Sequence, residues 1–227
     1  MVFIILIAIG ALILFGPNLW VSHVLTKYNR NPESNFPGTG GELARHLLDR
    51  FDLHDVNVVV TEAGDHYNPH DRSVALTQDK YDGKTLAAIV IAAHECGHAI
   101  QHARGETFFQ LRQWLAQSAS TAQIVGSAML AVSPFFGALT LSPHVSLFSF
   151  AGAFLILGYG VLVQFITLPV EIDASFNKAL PLLASCYLSE TQIRPSRQIL
   201  MAAALTYVAG TLFQLLNFWR WLVIFRR

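Results

Sequence analysis

The chain has 227 residues, of which 53% are hydrophobic and 13% charged, whereas a soluble globular chain carries roughly 25% charged residues. Fifteen basic and fifteen acidic side chains cancel, which excludes a disordered, highly charged chain and removes the electrostatic case for nucleic acid. Two cysteines, Cys96 and Cys186, build no disulfide framework, so the class left by these numbers is a membrane protein.

In chain order, Val2 to Leu25 is an uncharged apolar run interrupted by Gly16-Pro17. It has no Lys or Arg ahead of it and no clear small-x-small site behind it, so residues 1–25 are expected to be an uncleaved anchor. Residues 26–117 read as a compact α+β unit. A Pro/Gly/Asn linker, Asn29 to Gly41, leads into a helix with Leu43, Ala44, Leu47, Leu48 and Phe51 at helical spacing. Val56 to Thr61 is short and β-branched, hence a strand, and Ser73 to Thr77 is a second. Between them DHYNPHDR (Asp65–Arg72) is turn-rich. Lys84 to about Arg104 has the composition of a buried helix.

From Gln113 to Val170 there is no Lys, Arg, Asp or Glu over 58 residues, too long for one span of about 20 residues and right for two. The expected spans are Ser118–Ala138 and Val145–Leu168 within a hairpin at 118–170, broken by a turn in Ser133 to His144. Residues 171–197 form a loop whose EIDASFNKAL stretch is predicted α-helical, and 198–227 hold a fourth run, Gln198 to Trp219, with a basic tail. The fold class expected is a mainly α integral membrane protein of about four transmembrane helices, with the α+β unit between the first and second spans.

The chemistry lies in the buried helix. His94-Glu95-Cys96-Gly97-His98 is an H-E-x-x-H motif. Positions i and i+4 are about 40° apart on an α-helix, so both imidazoles leave one face and can reach one Zn²⁺. Glu95 sits beside such an ion rather than on it, where a carboxylate can accept a proton from water and pass it to a leaving amine. Two histidines and a glutamate in an apolar helix also admit a metal-free hydrogen-bond network, or a metal site without hydrolysis. Cys96 is about 200° from His94 and faces away.

A catalytic zinc takes three protein ligands and leaves one position open. His102 lies in a row with His94 and His98 and cannot surround the ion with them. The metzincin pattern fails, because its glycine would fall at Gln101 and its third histidine at Arg104. His66 and His70 stay open. Glu171, the first charge after the uncharged run and at the end of a span, is the strongest candidate. Two spans separate it from His98, so both return to the same side.

HECGHAIQ (His94–Gln101), DHYNP (Asp65–Pro69) and TLPVEIDAS (Thr167–Ser175) resemble the YugP-type neutral zinc metallopeptidases of bacterial membranes, over about Gly38 to Leu180. The resemblance implies a zincin-like unit binding one Zn²⁺ per chain through His94, His98 and Glu171, with Glu95 as catalytic base. Related peptidases of the HtpX type carry an acid four residues after the ligand Glu. Here that position is Ser175, and the nearest acid is Asp173, a candidate supporting residue. His66 and Tyr67 are candidates for stabilising an oxyanion or contacting substrate. The reading is therefore a membrane-embedded endopeptidase acting on peptide or protein, in contact with the bilayer and with no nucleic-acid partner. An extended substrate is expected to pair with Ser73–Thr77. The competing class is a non-hydrolytic membrane adaptor or metal-binding regulator on the same scaffold. Nine Lys or Arg in Lys27–Arg112 and three in Glu171–Arg197 place the catalytic unit on the cytoplasmic side by the positive-inside rule.

Overall fold

A computed structural model describes residues 16, 19–24, 26–28, 36–140 and 143–205. They form two compact units. The first holds what is described up to Phe109 and again from Pro169, and the second holds Gln110–Leu168.

In the first unit, helix α1 (Gly40–Arg50) starts where the sequence supplies a reciprocal cap. Thr39 Oγ1 accepts from the Glu42 N–H, and the Glu42 carboxylate accepts from the Thr39 N–H at 2.8 Å. Two of the helix's orphan donors are thereby satisfied. Its apolar stripe buries Leu43, Ala44, Leu47 and Leu48, and Leu47 and Leu48 are inaccessible to solvent. Full burial of each such leucine is worth about 1.5–3 kcal/mol. Strands β1 (Asn57–Val60), β2 (His66–Asn68) and β3 (Ser73–Leu76) follow. Their spatial order is β1-β3-β2, with β1 parallel and β2 antiparallel to β3. A short helix α2 (Gln78–Tyr81) leads to α3 (Leu86–Ala103), which Thr85 caps by accepting from the Ala88 N–H. Helix α3 is buried along nearly its whole length.

Helices α4 (Thr107–Thr140) and α5 (Pro143–Ile172) supply the second unit. Within it they run antiparallel in close register. The Ser118 and Tyr159 hydroxyls are hydrogen-bonded, and a Cβ on Gly126 would lie 2.7 Å from the Gly152 carbonyl oxygen. After α5 the chain continues through a π-helical segment, Asp173–Ala179, into α6 (Leu180–Cys186), and residues 190–205 are helical.

Four expectations are corrected. Among the described residues one helix, Leu147–Cys186, is long and apolar enough to cross a membrane, in place of about four. Only 12% of its apolar window is buried in the protein, and Phe154 and Phe165 are exposed. The run before it lacks charge but not polarity: Gln117, Ser118, Ser120, Thr121 and Gln123 dilute it. Most of the first and fourth runs, at 2–25 and 198–219, lies outside the described residues. Second, the turn-rich DHYNP segment contributes strand β2, a three-residue strand defined by its partner β3 and too short to show an alternating pattern. Third, β3 is the central strand, paired on both sides and buried throughout. An added peptide strand therefore finds no free edge on it. Fourth, the EIDASFNKAL stretch is largely π-helical where it meets α3.

Candidate metal centre

Three buried donors converge where α3 meets the end of α5. His94 and His98, one turn apart on α3, have ring centroids 4.7 Å apart. His94 Nε2 lies 3.2 Å from Glu171 Oε2, and His98 Nε2 lies 3.4 Å from Glu171 Oε1. All three residues are at most 5% exposed, and their donor atoms fall within 4.8 Å of one another. Zinc ligands at about 2.0–2.1 Å in a tetrahedron stand roughly 3.3 Å apart. The observed separations match that edge, and two imidazoles with one carboxylate is a donor set zinc takes in catalytic sites. The residues present fit the ion. Glu95, next on the helix and 7% exposed, adds a second buried carboxyl group.

The other side of each ring is also engaged. Ser175 Oγ lies 3.1 Å from His94 Nδ1, and Gln101 Oε1 lies 2.9 Å from His98 Nδ1. With both Nδ1 atoms occupied, the Nε2 atoms are the ones turned to Glu171. The Ser175 hydroxyl thus serves as the partner of the His94 ring. Asp173 is not among the donors. It accepts from Gln101 Nε2 at 2.8 Å and from Asn177 Nδ2 at 2.9 Å, and it pairs with Lys178, which also reaches Glu106 at 2.8 Å.

What brings Glu171 against α3 is a missing side chain. A Cβ at Gly97, inside the H-E-x-x-H motif, would lie 2.9 Å from the Ala174 carbonyl oxygen and 3.3 Å from its Cα. Only glycine lets the backbones approach this closely. The π-helical turn begins at Asp173, two residues past Glu171, and such turns are frequent at functional sites.

The remaining sequence candidates lie elsewhere. Tyr67 on β2 hydrogen-bonds His102 Nδ1 at 2.8 Å, and its ring packs on Phe109, which in turn packs on His98. Burial pushes the Tyr67 phenol up to about 12 and lowers the His102 imidazole. Both are neutral near pH 7. His66 Nδ1 pairs with the Gly64 carbonyl at 2.8 Å, and the His70 N–H donates to Asn68 Oδ1. Neither belongs to the three-donor cluster. Cys96 is fully buried and directed at the Ala44 carbonyl, and burial raises its thiol pKa, which keeps it protonated and inert. Sequence reasoning missed Gln101 and the packing role of Gly97. Gln101 was findable: it is a polar residue on the His94–His98 face of an otherwise apolar helix.

The sequence matches the family described as "Putative neutral zinc metallopeptidase" over residues 3–226. It is 33% identical over 227 residues to the "Putative membrane protease YugP" of Bacillus subtilis (strain 168), covering 99% of this chain and 96% of that protein. No solved structure matches the fold.

Proposed function

The chain belongs to the neutral zinc metallopeptidases, and on that premise we propose that it is a membrane-associated endopeptidase hydrolysing peptide bonds with Glu95 as general base. The observation that carries this reading is the convergence of His94 and His98 on Glu171 at 3.2 and 3.4 Å, with Glu95 adjoining on the same helix. Zinc, when bound, supplies Lewis acidity towards water and towards the scissile carbonyl. His94, His98 and Glu171 would hold it. Ser175 and Gln101 keep the two rings turned inward. Glu95 removes a proton from the attacking water onto its carboxylate. It then delivers that proton to the amine nitrogen as the C–N bond breaks, which returns it to the ionised state. Burial of the cluster excludes bulk water and strengthens each of these interactions.

Membrane association is supported by the helix Leu147–Cys186 and by the membrane relative. The clustering of basic residues in Lys27–Arg112 supports a cytoplasmic site. The substrate class is a protein or peptide presented near the bilayer. The experiment is zinc analysis of detergent-purified protein together with casein cleavage. The expected result is one zinc per chain and cleavage abolished by a chelator. Stoichiometric zinc with no chelator-sensitive cleavage of casein or of a mixed peptide library would contradict the reading.

A further inference from the structure

We infer that Gln101 is a positioning residue that sets the ring state of His98 and fixes the placement of Glu171 through a single side-chain amide. The inference rests on reading the three-donor cluster as a metal centre. It concerns how the chain prepares that centre before any ion arrives.

Gln101 is 1% exposed, so each polar atom of its amide must be satisfied by the protein. Its Nε2 lies 2.9 Å from the Val170 carbonyl oxygen and 2.8 Å from Asp173 Oδ2. A carbonyl and a carboxylate beside Lys178 can only accept. The NH₂ group must therefore face them, and the amide orientation follows from its neighbours. Oε1 is then the atom 2.9 Å from His98 Nδ1. An amide oxygen cannot donate, so His98 carries its proton on Nδ1. In the neutral ring the lone pair is then on Nε2, the nitrogen 3.4 Å from Glu171. This is the tautomer a metal needs, present before the metal.

The same amide does a second thing. Val170 immediately precedes Glu171, and Asp173 follows it by two residues. Gln101 thus grips the backbone on one side of the third ligand and a side chain on the other. One residue of α3, a turn beyond His98, sets the spacing between two ligands that are 73 positions apart in sequence. Outer partners of this kind typically change metal affinity about 10- to 100-fold.

The test uses the full-length protein in detergent, metal-free, with ¹⁵N-labelled histidine. The pH is kept well above the ordinary imidazole value of about 6.5. The His98 signals are assigned by their loss in His98→Ala. Wild type should show His98 protonated on Nδ1 and bare on Nε2. Gln101→Met keeps the length and removes the amide. It should give a mixture of tautomers at His98, leave His102 unchanged, and bind zinc about 10- to 100-fold more weakly. Gln101→Glu still accepts from His98 but has no donor for Val170 or Asp173, so it should also weaken zinc. Adding Asp173→Asn to Gln101→Glu supplies an N–H at the other end and should recover part of the loss, whereas Asp173→Asn alone should not strengthen binding.

An unchanged His98 tautomer with wild-type zinc affinity in Gln101→Met would overturn the inference. If that variant does not fold, failure of Asp173→Asn to recover any zinc binding in Gln101→Glu would overturn it instead. A wild-type protein that binds no zinc would contradict the metalloenzyme reading, while the tautomer measurement still decides the role of Gln101.

Discussion

Gly97→Ala should damage the centre without touching any of its ligands. The added Cβ would lie 2.9 Å from the Ala174 carbonyl oxygen, and ordinary contact begins at 3.4 Å. The π-helical segment must therefore retreat from α3 by about 0.5 Å, the difference between those distances. Metal sites tolerate ligand-distance errors of only about ±0.2 Å. Ala174 is three residues past Glu171 and next to Ser175, so the retreat moves the carboxylate and the His94 partner together. Two terms oppose each other in stability. Overpacking costs about 1–3 kcal/mol, while replacing a mid-helix glycine by alanine returns about 1 kcal/mol of helix propensity. The net change is small to moderately destabilising, and zinc affinity is the sharper readout. We expect a loss of about 10- to 100-fold, the range for lost ligand support. The assay is chelator competition for zinc, with thermal unfolding alongside. Gly158→Ala is the control, because a Cβ there meets the Phe154 ring at an ordinary 3.6 Å and should leave zinc binding unchanged. Wild-type affinity in Gly97→Ala would refute the claim that glycine sets the distance between α3 and Glu171.

Removing the third donor should weaken zinc in the order Glu171→Ala more than Glu171→Asp, since the shorter acid keeps a carboxylate but loses a methylene of reach. Metal analysis of the two purified variants checks the order, and full zinc occupancy in Glu171→Ala would exclude Glu171 as a ligand. Tyr67→Phe should cost about 0.5–1.5 kcal/mol through the lost hydrogen bond to His102 and leave zinc in place, as read by denaturant unfolding. The Tyr67 phenol is raised from 10.0 to about 12 in the fold, so the folded state keeps a proton that the unfolded state loses. That contribution to stability is complete below pH 10 and disappears as pH rises through about 12. Tyr67→Phe should flatten this alkaline decline in a pH series of unfolding.

Much of the centre was legible in the chain because its chemistry is local. His94, Glu95 and His98 sit within five residues of one helix, and the periodicity of α1 and the β-branched run of β1 likewise act over a few positions. What escaped depends on tertiary contact. Strand β2 is defined by pairing with β3, and no three-residue pattern announces it. The π-helical turn at Asp173–Ala179 uses residues that would equally form an α-helix, and its trace appears in the approach of Ala174 to Gly97. Absence of charge in Gln113–Val170 overstated apolarity, because glutamine, serine and threonine also keep a helix from being membrane-like. Glu171, 73 residues beyond His98, was reachable through the uncharged run before it and through the resemblance of TLPVEIDAS, not through local spacing. Asp173, two residues on, gains its place from the reach of Gln101 rather than from its own position on the helix.

In the proposed mechanism Glu95 moves a proton while His94, His98 and Glu171 hold the ion. Glu95→Gln separates these roles in one measurement: zinc content and peptide turnover on the same purified sample. Full zinc occupancy is expected with turnover reduced about 10²- to 10⁴-fold, the usual cost of a lost general base. Turnover at the wild-type rate with zinc bound would contradict that mechanism.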